Sequence, residues 1–282
     1  MTFFYSACSK LKNSRAIFFA LIIAMLFSLT ACNNKKPKES PTASPTESVD
    51  PNSVIEPPSV SGKDEASPSP ATPASPSPSA VVGPDLPLCD PASDEFFADA
   101  AFMGNSLMDG FRMFSGLTTC DYYAATSMTV IGAKSNYCIT LDNGASGTMV
   151  DGLTQKPYGK IYILLGINEI GYEVTEFIKL YGEMLDAIIA AQPDCDIYIM
   201  GLTPVSAIKS AGSDTFNMTR VTAYNDALHQ LAADKGCYYL NLVEALAGAD
   251  GFLPANETSD GVHFSANVYK TWLNYVKTHY VV

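Results

Sequence analysis

Phe102-Met103-Gly104-Asn105-Ser106-Leu107-Met108-Asp109-Gly110-Phe111 is the stretch on which the reading of this chain turns. The apolar residues from Ala100 to Met103 predict a short buried strand. Gly104-Asn105 break it, and apolar residues at helical spacing from Leu107 to about Phe114 predict a helix. Ser106 therefore stands at a strand-to-helix turn, beside the first free amides of the helix and the positive end of its dipole. A developing oxyanion is favoured there. The same position suits a serine that merely caps the helix, so this stretch alone leaves both roles open.

Working outward, the pattern alternates. Asp121 to Ala125 predicts a second strand, ending near Thr126-Ser127. Residues 128–158 are mixed and Gly-rich, and read as loop with one helical or hairpin piece. Lys160 to Leu165 is a buried strand closed by Gly166-Ile167-Asn168-Glu169, and Glu173 to Ala191 carries apolar residues at helical spacing. Asp196 to Met200 is a fourth strand, followed by Gly201-Leu202-Thr203-Pro204 and a polar loop over 206–216. A long helix from about Asn217 to Lys235 ends at Gly236, a residue suited to a C-terminal cap. Cys237 to Asn241 is a fifth strand, a short helix spans about Val243 to Ala247, and Ser265 caps a last helix ending near Thr278. The class is α/β: a mostly parallel five-stranded sheet with helices on both faces, a three-layer sandwich. In such sheets the ligand crevice lies beyond the carboxyl ends of the strands. Ser106, Ser127, Asn168 and Thr203 all fall at such ends.

The rest of the 282 residues is organised differently. Lys10, Lys12 and Arg15 precede an apolar run from Ala16 to Leu29, closed by Leu29-Thr30-Ala31-Cys32. A charged start, an apolar stretch too short for a comfortable span and small residues before a cysteine predict a lipoprotein signal peptide over 1–31. Cys32 is then the lipidated mature N-terminus, resembling the lipobox of bacterial lipoproteins. Residues 33–88, rich in Pro, Ser, Thr and Ala, cannot bury enough apolar surface to order themselves and read as a disordered tether. The expected location is the extracytoplasmic face of a cell membrane. Residues 89–282 are then one domain with a sizeable core. The net charge of −12, with no Lys/Arg cluster within residues 89–282, argues against a nucleic-acid partner. Cys89, Cys120, Cys138, Cys195 and Cys237 show no CxxC pair and no metal-like Cys/His cluster. A Cys120–Cys138 disulfide and buried free thiols both remain open.

Near the end stands Asp260-Gly261-Val262-His263-Phe264. Asp and His three apart on a turn can set the carboxylate against one ring nitrogen while the other faces outward, the orientation a general base needs. His229, within the long helix beside Asp226, and His279, near the C-terminus, read as ordinary helix residues.

Gly-Asn-Ser-Leu at 104–107, Gly-x-Asn-Glu at 166–169 and Asp-x-x-His at 260–263, in that order, resemble the SGNH (GDSL) hydrolase family over about 95–282. The resemblance implies a flavodoxin-like α/β/α fold and an esterase or lipase that needs no metal or cofactor. It implies Ser106 as nucleophile, His263 as its base, Asp260 as the residue orienting His263, and Asn168 with the Ser106 amide in the oxyanion hole. Each such pre-placed donor is worth on the order of 3 kcal/mol.

Three departures stand out. The family's Gly-Asp-Ser is Gly104-Asn105-Ser106 here, which implies altered loop bonding rather than lost activity. The family's second-block glycine amide corresponds by position to Ser127, with Gly132 as the alternative. Glu169 replaces an Asp of structural role. The expected function is a membrane-tethered serine esterase acting through an acyl-enzyme, with O-acetyl esters of extracellular or cell-wall glycans as the substrates suggested by analogy. A lipase or lysophospholipase acting on longer chains is the competing enzyme. A glycan-binding lipoprotein that keeps the fold without turnover is the competing non-enzyme, permitted by Asn105 and the missing glycine.

Overall fold

The computed structural model describes residues 83–281. The export signal, Cys32 and most of the linker predicted from the sequence lie outside them. Five strands form one all-parallel sheet: β1 (Ala100–Gly104), β2 (Asp121–Ala124), β5 (Lys160–Leu164), β6 (Asp196–Met200) and β7 (Tyr238–Leu240). Their order is β2-β1-β5-β6-β7. The chain thus winds outward in one direction from β1 and in the other from β5. The crevice where the two directions part, between the carboxyl ends of β1 and β5, is where a sheet of this order binds ligands. Ser106 follows β1 and Asn168 follows β5, so each flanks that crevice. The fold class is the expected one.

Apolar strand residues bury both faces of the sheet. In register, Phe102, Tyr162 and Tyr198 stack on one face with ring centroids 4.5 Å apart at each step. Helix α1 (Ser106–Phe114) and the last helix, α8 (Ala266–Thr278), cover this ladder through Phe111 and Trp272, whose rings lie 4.6 Å apart. Side chains alternate along a strand, so Ile161 and Ile163 point to the opposite face. The long helices α4 (Val174–Ala191) and α6 (Met218–Lys235) pack together through Phe177 and Tyr224. Close approach needs a glycine where β1 hands over to α1: a Cβ on Gly104 would lie 2.6 Å from the Leu164 carbonyl oxygen. The ends of β1 and β5 are therefore held together beneath the crevice.

Several expectations are corrected. The stretch 128–158 holds more than one piece: α2 (Val130–Ser135), a small hairpin of β3 (Ile139–Thr140) with β4 (Ser146–Gly147), and α3 (Met149–Leu153). Thr129 and Thr148 cap the two helices through their hydroxyls. These helices are too short to show a full apolar period, so only their caps betray them. The polar loop at 206–216 contains α5 (Ala207–Ala211), capped by Ser206. Strands β2 and β7 are shorter than predicted, because Ala125, Cys237 and Asn241 lie outside their ladders. A short helix α7 (Leu242–Leu246) starts one residue early. The folded unit also begins before Cys89. Pro84 accepts a hydrogen bond from the Tyr239 amide, Asp85 bridges to Tyr239, and Leu88 bridges to His279. These residues cover the edge strand β7, whose backbone groups would otherwise be open to pairing with another chain.

Among the described residues, all five cysteines are free thiols, with Cys237 buried and Cys138 exposed. No helix there is long and apolar enough to cross a membrane.

Candidate active site

Asn105, rather than Ser106, caps α1: its Oδ1 accepts from the Leu107 amide at 3.0 Å. Ser106 is the first residue of the helix, and its own N–H is among the first four amides, which have no intrahelical acceptor. Asn105 is fully buried, and its Nδ2 meets no partner among the described residues. With Asn in place of Asp the side-chain oxygen still caps the helix, and the turn presents Ser106 at the helix's first position.

The two residues 157 positions apart in sequence meet in space. Ser106 Oγ lies 2.9 Å from His263 Nε2, and His263 Nδ1 lies 2.7 Å from Asp260 Oδ2. The other carboxylate oxygen, Oδ1, accepts from the backbone amides of Val262 (2.9 Å) and His263 (2.8 Å). Partial burial alone would raise the Asp260 pKa. The His263 ring N–H and the two amides outweigh it and hold the carboxyl down to about 2. Asp260 is thus ionised throughout the working range, so Nδ1 carries the proton and Nε2 offers its lone pair to the serine hydroxyl. Gly261 makes the tight turn possible at φ +85, and its amide bonds Thr258 Oγ1 at 2.9 Å. Asp260 and His263 are each about half exposed, so the relay sits at the mouth of a cleft.

Asn168 closes the other side. It lies in a short 3-10 turn, Ile167–Glu169, and its Nδ2 donates one hydrogen to the Met128 carbonyl at 2.8 Å. The second hydrogen of that amide stays available to the cleft that Asn168 lines. The next residue, Glu169, is buried and accepts from the Val130 amide through Oε1, while Oε2 meets no partner among the described residues. Burial, only partly offset by the Val130 amide, pushes its pKa up to about 7. Successive residues of the block after β5 thereby clasp the segment 128–130.

Just before that segment, Met128 N–H bonds the Ala125 carbonyl at 3.2 Å. Ser127 occupies the third position of this turn with φ +59, a left-handed conformation that glycine adopts more easily. The alternative, Gly132, has its amide engaged by Thr129 Oγ1 at 3.0 Å inside the cap of α2. Ser127 is exposed and does not wall the cleft itself. Thr203 is buried and does not line the cleft.

The cleft measures about 180 Å³, with Leu107, Ile167, Val262, Lys209 and Phe216 completing its walls around Ser106, Asn168 and His263. Lys209 and Phe216 were not singled out in the sequence. The Ser206 cap ahead of a helix-forming run was the signal for the element that carries Lys209. A larger hollow of about 710 Å³ lies elsewhere, lined by Asp85, His229, Tyr239, Tyr275 and others. It holds no serine next to a histidine, so size does not locate the chemistry. There His229 Nε2 pairs with Asp85 at 2.8 Å instead of with Asp226. His279 Nδ1 meets the Tyr275 carbonyl at 2.8 Å.

Comparison with known proteins agrees with this geometry. The model of the GDSL-like Lipase/Acylhydrolase family matches residues 102–271, a span that holds all four of Ser106, Asn168, Asp260 and His263. Among solved structures, a proposed platelet activating factor from Streptococcus pneumonia is 17% identical with TM-score 0.51, over 65% of this chain and 87% of its own. A proposed GDSL-like lipase from Parabacteroides merdae is 14% identical with TM-score 0.50, over 68% of this chain and 96% of its own. At these identities the likeness speaks to the fold alone. No curated protein matches the sequence.

Proposed function

Since this chain belongs to the GDSL-like lipase/acylhydrolase family and is an ester hydrolase, we propose that it removes short acyl groups, foremost acetyl, through a Ser106–His263–Asp260 triad. The observation that carries the reading is the relay itself, 2.9 Å from Ser106 Oγ to His263 Nε2 and 2.7 Å from His263 Nδ1 to Asp260. In the first half-reaction Ser106 Oγ attacks the ester carbonyl carbon while His263 Nε2 takes the hydroxyl proton. The carbonyl oxygen becomes an oxyanion facing the Ser106 amide and the free N–H of Asn168. Collapse breaks the bond to the alcohol oxygen, which leaves with the proton from His263, and an acyl-serine remains. In the second half water attacks that acyl group, with His263 again accepting the proton, and the acid leaves as Ser106 regains its hydrogen. Asp260 stays ionised throughout and stabilises the imidazolium.

Cleft size supports a small acyl group. Its volume of about 180 Å³ falls below the roughly 300 Å³ at which sites for drug-sized ligands begin. The apolar walls Leu107, Ile167, Val262 and Phe216, and the exposed Ile208 in the adjoining hollow, are the features that favour longer chains. By this proposal the enzyme works outside the cytoplasm, anchored by lipidated Cys32 and held off the membrane by the linker between Cys32 and Pro84. Its substrates are then O-acetyl esters on carbohydrates or cell-wall glycans.

The test is hydrolysis of p-nitrophenyl acetate and of a long-chain p-nitrophenyl ester by the purified protein and by Ser106→Ala. Turnover of the acetate, with a loss of at least roughly a thousandfold in the variant, supports the reading. Preference for the long chain moves it to a lipase. If the folded protein hydrolyses neither ester and resists a serine-directed phosphonate, the triad proposal fails.

A further inference from the structure

We propose that the cleft selects esters whose alcohol portion carries an anion, and that Lys209 makes the selection. This rests on the esterase reading above and names its substrate class. Lys209, on α5, lines the cleft together with Ser106 and His263. It also lines an adjoining hollow of about 400 Å³, whose other walls include Ser213, Thr258, Ser259 and Asp260. Lys209 and Asp260 are shared by both hollows. An ester bound with its acyl group at Ser106 would extend its alcohol past Lys209 into this hydroxyl-lined space.

The ammonium there has no counter-charge of its own. None of the salt bridges among the described residues involves Lys209. Asp260, the carboxylate that shares its two hollows, is already engaged by the His263 ring and by two backbone amides. Lys209 Nζ lies instead 5.0 Å from the centroid of Phe216, an aromatic face that steadies a cation without neutralising it.

The position is tied to the relay. The Lys209 amide bonds Ser206 Oγ at 3.2 Å, and the Ser206 amide bonds the Gly261 carbonyl at 3.0 Å. A Cβ on Gly261 would lie 2.5 Å from Lys209 Cβ, so α5 rests directly on the turn between Asp260 and His263. The chain carries a net charge of −12, a bulk field that repels anions. The Lys209 ammonium, in no salt bridge among the described residues, opposes that field where the alcohol must sit. A compact ammonium accepts a carboxylate or a phosphate as a point charge, and the anion is the shared chemistry.

The probes are phenyl acetate, 3-acetoxybenzoate and 3-acetoxyphenyl phosphate, with each rate corrected for uncatalysed hydrolysis. The expected wild-type result at low salt is a kcat/KM about tenfold higher for at least one anionic ester than for phenyl acetate. The difference should lie mainly in KM and shrink as salt is added. Lys209→Met should bring the anionic-to-neutral ratio to one or below, and Lys209→Arg should keep it above one. Preference for the carboxylate alone, or for the phosphate alone, supports the inference and identifies the source of the anion. A wild-type ratio of one or less, or a ratio unchanged in Lys209→Met, overturns it while hydrolysis of phenyl acetate leaves the esterase reading standing. Failure to hydrolyse any of the three, or p-nitrophenyl acetate, overturns both.

Discussion

Glu169 offers a perturbation whose size follows from the structure. Its carboxyl is buried, one oxygen accepts the Val130 amide, and the other meets no partner among the described residues. Its pKa, about 7 in the folded protein against an ordinary 4.5, means the native state holds this proton more tightly than the unfolded chain. Stability from the protonated form is therefore complete below pH 4.5, and declines as pH rises towards 7. At about 1.4 kcal/mol per pH unit, the gap amounts to about 3 kcal/mol. Glu169→Gln keeps an acceptor for Val130 but cannot titrate. Asp260, whose pKa is about 2, titrates below this window and is unchanged in the variant, so the difference between the two proteins isolates position 169. We expect the variant to gain about 3 kcal/mol relative to wild type between pH 4 and pH 8. For a domain of this size that is roughly 6–12 °C in Tm. Thermal unfolding of both proteins at several pH values is the assay. Curves that stay parallel from pH 4.5 to 8 would refute the raised pKa and the burial argument beneath it.

Asp260→Asn should leave the fold intact, but by removing the acceptor that sets the His263 tautomer it should lower kcat by roughly a hundredfold to ten-thousandfold, measured with p-nitrophenyl acetate. In wild type the lowered Asp260 pKa acts in the opposite sense to Glu169: its contribution is present above about pH 4 and fades as pH falls towards 2, which acid unfolding of wild type against Asp260→Asn would show. Ser127→Gly should relieve the left-handed backbone at φ +59 and leave stability unchanged or raised by up to about 1 kcal/mol in urea melts. Its esterase activity should persist, because the variant keeps the backbone amide. Asn168→Ala should cut kcat by roughly a hundredfold or more with little change in KM, since it removes a donor to the transition state.

How much of this was legible in the sequence depends on the kind of signal each element carries. The buried strands Lys160–Leu164 and Asp196–Met200 are continuous apolar runs between turn residues, and such runs have few readings in an alternating α/β chain. Ser106, Asn168, Asp260 and His263 stand at element ends, where the identity of the turn residues shows through. The helices at 130–135, 149–153 and 207–211 span less than two turns. They exist because hydroxyl caps and tertiary contacts hold them, and neither leaves a periodic trace. The walls of the cleft escaped for the same reason, since Lys209 and Phe216 reach Ser106 only through that last short helix and the turn after it. Asn105 is the instructive case. Its departure from Asp raised the question of whether the site still works. The structure answers in terms of geometry: the cap needs an acceptor at 105, which an amide oxygen supplies as well as a carboxylate, while the carboxylate that bonds the His263 ring is a different one, Asp260. A charge lost beside the nucleophile thus leaves the orienting acid untouched. By the proposal above, the charge that bears on the choice of substrate is the one on Lys209, which lines the same cleft.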